Sequence, residues 1–131
     1  MDLEILINSG AIPALVGVLN NHFDKPDVIQ YAMNMFLQLS KHNTDTSNLL
    51  ITANLPDAIF KVINGNKTHQ ETLSKSCHII SNLIITHPMI LTPNRVEILR
   101  AVVNFIGVET STDNDIAEDP DHPVIVNEDY T

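Results

Sequence analysis

The sequence predicts an all-α protein, and three observations predict it. Shifting the chain by 44 residues along itself brings apolar and small residues back in the same order over about 35 residues. Within each copy the apolar residues recur at i, i+3 and i+4, which places them on one face of an α-helix. Short alternating runs joined by hairpin turns are missing from the sequence, so we expect no β-strands.

The 44-residue period predicts tandem helical units. It is carried by the pairs Leu6 and Leu50, Ala14 and Ala58, Val18 and Val62, Ile29 and Leu73, Phe36 and Ile80, and Leu39 and Leu83. A period of about 40 to 47 residues is typical of stacked helical repeats, in which each copy covers the apolar face of its neighbour. We therefore expect helical repeats over 1–107, divided into 1–44, 45–88 and a partial copy over 89–107.

The first copy is predicted to contain three helices. The first, over 3–8, ends at Gly10, because glycine readily takes the positive φ that a helix end often needs. Pro13 opens the second helix, since the N–H that proline lacks has no helical partner in a first turn. The third helix begins near Asp27 as N-cap. Its expected buried face consists of Val28, Ile29, Ala32, Phe36 and Leu39.

The second copy repeats this plan, with helices expected over 48–53, 56–64 and 70–86. Pro56 opens its second helix in the same way as the proline of the first copy, and Asn54 replaces the glycine at the preceding turn. One more amphipathic helix follows Pro93 and is expected to end at Gly107. Its pattern leaves open whether it is a second-type or a third-type helix.

Charge is concentrated at the C-terminal end. The chain has 16 acidic and 7 basic residues, and eight of the acids lie in 109–131, where there is no lysine or arginine. Low hydrophobicity and uncompensated charge predict that 108–131 is an acidic disordered tail, because such a segment cannot bury enough apolar area to offset its chain entropy. The remaining body is nearly neutral, so we expect no nucleic-acid partner.

The residues offer no basis for catalysis, and we predict that the protein is not an enzyme and has no catalytic residues. With four glycines, the chain has no glycine-rich phosphate loop, and none of its six histidines forms a pair at metal-ligand spacing. Cys77 lies at a core position and is expected to be a buried, inert thiol. We accordingly expect no metal and no cofactor.

The sequence also predicts a cytoplasmic or nuclear protein that does not bind a membrane. No apolar stretch approaches the roughly 18 residues of a spanning helix. The opening residues carry acids where a secretory signal carries cations. The chain has one cysteine, which agrees with a reducing compartment.

Two segments resemble a known family. Residues 7–16, INSGAIPALV, are similar to the signature of the armadillo repeat, in which a glycine ends the first helix and a proline opens the second. Residues 76–84, SCHIISNLI, are similar to the third helix of importin-α repeats. The resemblance implies a short right-handed armadillo-type α-α superhelix, a solenoid. It also implies a non-enzymatic module that binds an extended peptide or a partner helix in a concave groove.

In armadillo proteins the third helices line this groove, and importin-α binds a basic peptide there with a tryptophan and an asparagine four residues later. The asparagine position corresponds to Gln38 and Asn82, and the tryptophan position to Asn34 and His78; this chain has no tryptophan. The candidate groove residues are Asn34, Gln38, Lys41, His78, Asn82 and Thr86. The partners implied are a basic nuclear-localisation-type peptide or an importin-β-type carrier, in a nuclear import adaptor.

Several alternatives remain open. The polar residues of the third helices are also what any solvated helix face would carry. The protein can instead be a scaffold, or a regulatory subunit of an enzyme, that binds through the apolar end faces of its repeats. Because repeat units cover one another, about three or more are needed for stability. With Leu3, Leu6 and Val16 uncovered, we expect a fragment of a longer array or self-association through an end repeat.

Overall fold

The fold is all-α, as predicted. The structure, a computed structural model, describes the backbone of residues 3–117 and the side chains of residues 3–107. This part of the chain contains seven α-helices and one short 3-10 helix, and no strand. None of its helices combines the length and the apolar character needed to cross a membrane.

The first six helices form two successive triplets. The first triplet consists of α1 (Leu3–Asn8), α2 (Ala11–His22) and α3 (Pro26–Ser40). The second triplet consists of α4 (Thr44–Thr52), α5 (Leu55–Gly65) and α6 (Gln70–Ile84). A 3-10 turn (Pro88–Ile90) leads to the long helix α7 (Pro93–Ala117).

The same local geometry recurs at the turns between the first and second helix of each triplet. Gly10 has φ 76° and Asn54 has φ 64°, so both residues adopt the left-handed conformation. Glycine takes this conformation without steric cost, and asparagine tolerates it better than most residues. The two residues are 44 positions apart, so the turn repeats with the period of the sequence.

The two triplets share one apolar core. Helix α3 packs most extensively against α6, and α2 packs against α5, so that equivalent helices lie side by side. The largest fully buried side chains come from both triplets: Leu19, Ile29, Met33, Phe36, Leu39, Leu50, Leu55, Ile59, Ile63, Leu73, Ile79 and Ile80. Each triplet therefore buries its apolar residues partly against the other.

Asn66, immediately after α5, joins the two triplets by hydrogen bonds. Its side-chain Nδ2 donates to the carbonyl of Phe23 at 2.6 Å and to the carbonyl of Val62 at 2.8 Å. Nearby, the Lys61 ammonium lies 5.2 Å from the centre of the Phe23 ring. The buried amide thus satisfies two backbone acceptors that belong to different triplets.

Helix α7 covers the side of the second triplet that faces away from the first. The Arg95 guanidinium forms an ion pair with Asp57, donates to the carbonyl of Ile90 at 3.0 Å and lies 4.8 Å from the centre of the Phe60 ring. Further along α7, apolar side chains line a half-open cleft of about 230 Å³ against α5 and α6. The lining of this cleft includes Ile63, Leu73, Ile98, Val102 and Phe105.

Val16, which was expected to be uncovered, is 5% exposed and belongs to the buried core. Four details of the predicted helices are also wrong. Val28 is 49% exposed instead of buried, because it lies on the side of α3 that no described helix covers. Helix α3 begins at Pro26, so Asp27 stands in the first turn and is not the N-cap. Helix α4 begins at Thr44, four residues before position 48, because the Asn43 side chain accepts a hydrogen bond from the backbone N–H of Thr46 and caps the helix there.

The fourth correction concerns the boundary of the predicted tail. Helix α7 does not end at Gly107 but continues to Ala117, so residues 108–117 are helical where we expected disorder. A glycine inside a helix costs about 1 kcal/mol relative to alanine and does not end the helix by itself. The next proline is Pro120, and the rest of the predicted tail, 118–131, lies outside the described residues.

Two glycines in equivalent helices should respond oppositely to alanine. A Cβ placed on Gly65 would lie 2.7 Å from Cδ1 of Phe23, so Gly65→Ala is expected to destabilise the fold by about 1–3 kcal/mol through overpacking. A Cβ on Gly17 meets no heavy atom within 4 Å, so Gly17→Ala should stabilise the fold by about 0.5–1 kcal/mol. Urea unfolding of both variants checks this pair, and equal shifts would contradict it.

Candidate functional site

Four of the six candidate groove residues lie on two neighbouring helices, and the other two directly follow those helices. Asn34 and Gln38 lie on α3, and Lys41 is its C-cap; all three are exposed. On α6, His78 is exposed and Asn82 is half-buried, while the exposed Thr86 lies in the turn that follows the helix. Because α3 and α6 pack side by side, the two sets form adjacent rows.

Three of the six residues meet in one place. Lys41, Asn82 and Thr86 line a hollow of about 300 Å³, which lies where α3 and α6 end and α4 begins. We call it the polar hollow. Its other lining residues are Ser40, Asn43, Thr44, Ser47 and Ile85.

The side chain of Asn82 is oriented by a hydrogen-bond chain. Its Nδ2 donates to the Oγ of Ser40 at 3.0 Å, and that hydroxyl donates to the carbonyl of Leu37 at 3.0 Å. Since the single hydroxyl hydrogen is used on the carbonyl, Ser40 Oγ can only accept from Asn82. The chain therefore holds Nδ2 of Asn82 toward α3, and Oδ1 makes no hydrogen bond to any residue that the structure describes.

Thr86 and His78 also make local hydrogen bonds. Thr86 Oγ1 lies 2.8 Å from Nδ1 of His87. His78 Nδ1 lies 2.9 Å from the carbonyl of Ser74, and because a carbonyl only accepts, the hydrogen of this bond sits on Nδ1. In the neutral ring Nε2 is then left as an acceptor.

The remaining candidates do not reach the polar hollow. His78 lines a separate open recess of about 690 Å³ between α6 and α7, together with Gln70, Glu71, Ser74, Lys75 and Ile106. Asn34 and Gln38 are exposed along α3, and neither side chain makes a hydrogen bond within the described part of the chain. The structure thus places the six residues on or directly after one pair of helices but gathers half of them at one end.

Sequence reasoning missed the contribution of α4. Asn43, Thr44 and Ser47 line the polar hollow, yet the predicted start at position 48 left all three in a loop. The signal was present, because an asparagine followed by an acid in the next turn is a typical helix start. Here Asp45 stands in the first turn of α4.

The helix ends around the polar hollow create an electrostatic field of mixed sign. Helices α3 and α6 end there, and helix ends carry unpaired carbonyls and partial negative charge. Helix α4 begins there and contributes the opposite partial charge. Lys41 adds a full positive charge at the rim. A neutral group with both donors and acceptors, such as a peptide backbone, suits this arrangement better than a strong cation.

Other reactive groups fall outside the polar hollow. Cys77 is half-buried, not fully buried as predicted, and desolvation raises the pKa of its thiol above the ordinary value. A raised pKa keeps the sulfur protonated at neutral pH, where it is a poor nucleophile. Among residues 3–107, no three His, Cys, Asp or Glu side chains come close enough together to hold a metal ion.

Comparison with known proteins identifies no relative of this chain. The chain matches no protein-family model, no curated protein and no solved structure. We therefore infer the function of the protein from the arrangement of α3, α4 and α6 around Asn82.

Proposed function

We propose that the protein is a non-enzymatic, armadillo-type binding module that holds an extended peptide along the polar sides of α3 and α6. The observation that carries the proposal is the orientation of Asn82. Its Nδ2 is held by Ser40, and its Oδ1 has no partner among the described residues. A fixed amide of this kind can accept from a peptide N–H and donate its second Nδ2 hydrogen to a peptide C=O.

The spacing of the polar residues supports an extended ligand. His78 and Asn82 stand four residues apart on α6. Four residues of α-helix rise about 6 Å. Two residues of an extended chain span about 6.6 Å and return the backbone to the same side. The spacing of His78 and Asn82 therefore matches every second residue of a bound peptide.

The resemblance to importin-α suggests a basic peptide, and nuclear import as the process, in the cytoplasm and nucleus. Within the described residues the polar hollow favours backbone recognition over charge, because Lys41 stands at its rim. The excess negative charge of the sequence lies instead in 109–131. We therefore propose that the groove supplies backbone contacts and that these acids attract a basic ligand or an importin-β-type carrier.

Selection from a displayed library of random decapeptides tests this function. The wild-type chain should enrich a set of peptides, and Asn82→Ala should weaken the best of them by about 5- to 30-fold, the loss expected for one or two hydrogen bonds. Asn64→Ala is the matched control, because Asn64 is an exposed asparagine on α5, away from the groove. Thermal melting of each variant separates lost binding from lost folding.

A second variant probes how Asn82 is held. Ser40→Ala removes the orienting hydroxyl but keeps the Asn82 amide, so the affinity should fall by less than it does for Asn82→Ala. Failure of the wild-type chain to enrich any peptide would overturn the proposal. Equal affinities of the wild type and Asn82→Ala would overturn it as well. Raising the salt concentration should weaken basic peptides more than neutral ones, because exposed charges are screened beyond about 10 Å at 0.1 M.

A further inference from the structure

The start of α4 leaves backbone donors unused at the polar hollow. Helix α4 is nine residues long and begins there, and the first N–H groups of a helix point out of its start. The Asn43 side chain accepts from the N–H of Thr46. The N–H groups of Thr44 and Asp45 make no hydrogen bond within the described part of the chain. Two backbone donors therefore remain for a ligand.

A buried hydroxyl group at the same place also lacks a partner. Ser47 lines the polar hollow and is 4% exposed. Its backbone N–H donates to the carbonyl of Asn43 at 3.0 Å, but its Oγ makes no hydrogen bond to any residue that the structure describes. The buried hydroxyl of Ser76, by contrast, donates to the carbonyl of Thr72 at 2.9 Å. Because buried polar atoms are rarely left unpaired, an acceptor bound in the polar hollow would complete Ser47.

Lys41 adds a positive charge that no neighbouring carboxylate neutralises. Its ammonium forms no ion pair within residues 3–107, whereas Lys25 and Lys75 are each paired with a carboxylate. None of the residues that line the polar hollow is acidic. Asp45, in the first turn of α4, is exposed and is not among them. The side chains of the polar hollow therefore favour a ligand with negative charge.

The helix ends that oppose this charge are partly neutralised. At the end of α3, the carbonyls of Leu37, Gln38 and Leu39 already accept hydrogen bonds from residues that follow them. At the end of α6, the carbonyl of Leu83 accepts as well. The partial negative charge of a helix end resides on its unpaired carbonyls, so these bonds reduce it. The donors of α4 and the charge of Lys41 then prevail over the two helix ends.

One free acceptor stands among these donors, which narrows the kind of anion. Oδ1 of Asn82 has no partner among the described residues, while Nδ2 is held by Ser40. The last residue of a peptide carries the complementary groups on one Cα, a carboxylate that only accepts and an N–H that donates. An internal peptide bond would leave the charge of Lys41 uncompensated. Capture of a terminal carboxylate by backbone N–H groups is an established mode of peptide recognition.

We propose that the polar hollow binds the C-terminal carboxylate of the peptide that α3 and α6 hold. The carboxylate accepts from the Lys41 ammonium, the Ser47 hydroxyl and the N–H groups at the start of α4. The N–H of the last peptide residue donates to Oδ1 of Asn82. This inference rests on the proposed peptide-binding function and specifies which end of the peptide is recognised.

Decapeptides displayed through their N-terminus, each with a free C-terminal carboxylate, test this inference. The best ligand selected by the wild-type chain is synthesised as the acid and as the C-terminal amide, and titration calorimetry measures both affinities. The amide should bind at least about tenfold more weakly, because hydrogen bonds to a charged acceptor are stronger than those to a neutral one. Acidic side chains are identical in the two forms, so the comparison isolates the terminal carboxylate.

Two variants locate the carboxylate in the polar hollow. Lys41→Gln and Ser47→Ala should each weaken the acid by about fivefold or more and the amide by less than about twofold. Lys67→Gln is the matched control, because Lys67 is an exposed lysine beyond the end of α5 and does not line the polar hollow. It should leave both affinities unchanged. Thermal melting shows whether each variant keeps the stability of the wild type.

The outcomes separate this inference from the proposed function. Equal affinities of the acid and the amide would overturn the inference and leave peptide binding along α3 and α6 in place. A loss with Lys67→Gln as large as the loss with Lys41→Gln would also overturn it. If the wild-type chain enriched no peptide in either format of the library, the inference and the proposed function would fall together.

Discussion

Phe36→Ala is expected to lower the free energy of unfolding by about 3–5 kcal/mol. Phe36 is 0% exposed in the C-terminal half of α3, the helix that packs most extensively against the other triplet. Truncation removes the transfer free energy of the ring and leaves a cavity that its neighbours fill only in part. Because both triplets contribute to this core, the loss should appear as one cooperative transition at lower urea concentration.

Two further variants test whether the effect of Phe36→Ala comes from the loss of buried side-chain volume. Phe36→Leu keeps most of the volume and should cost less than the alanine change. Ile85→Ala removes a comparable aliphatic side chain that is 79% exposed, and should change the free energy of unfolding by no more than about 0.5 kcal/mol. If Phe36→Ala cost under 1 kcal/mol, the shared core would not hold the triplets together as described.

Asn66→Asp is expected to destabilise the fold by about 2–4 kcal/mol at neutral pH. The wild-type Nδ2 donates to two carbonyl oxygens, Phe23 at 2.6 Å and Val62 at 2.8 Å. An ionised carboxylate has no donor, so the substitution leaves both acceptors unpaired and places a negative charge against them. Asn64 lies two residues earlier and is exposed. Asn64→Asp makes the same chemical change at a solvent-exposed site and is the control.

The effect of Asn66→Asp should depend on pH in a defined direction. Burial beside two carbonyls disfavours the charged form, so the pKa of the introduced carboxyl is higher in the folded than in the unfolded chain. The loss of unfolding free energy caused by the substitution, the deficit, is then smallest below the unfolded pKa of about 3.9, where the carboxyl is protonated and can donate one hydrogen bond. It grows as pH rises through the folded pKa. Urea unfolding at pH 4 and pH 7 measures this, and a deficit that shrinks toward pH 7 would contradict the assignment.

The helical plan was predictable because it depends on local patterns. The 44-residue period, the proline starts and the left-handed turns at Gly10 and Asn54 follow from side-chain spacing and backbone sterics alone. Burial of single residues was less predictable. Val28 and Ile29 are adjacent in an apolar run, yet only the second is buried, because the position of the neighbouring helices decides which side of α3 is covered.

The position of Asn82 on the third helix of the second triplet was predictable, but its contacts were not. The resemblance placed Asn82 on the polar side of a third helix, and the structure has it half-buried at that place. Its bond to Ser40 joins residues 42 positions apart and depends on how α3 and α6 pack, which no local pattern encodes. The same holds for the part of α4 that closes the polar hollow.

The bridge made by Asn66 has a consequence for covalent modification. Residues 66–68 read Asn-Lys-Thr, the acceptor sequence for N-linked glycans. The nitrogen that would carry the sugar is the one bonded to the Phe23 and Val62 carbonyls, and the residue is 7% exposed. A glycan there would displace one of these bonds and force bulky, hydrated sugar between the two triplets. The folded chain therefore cannot accept glycosylation at this sequon.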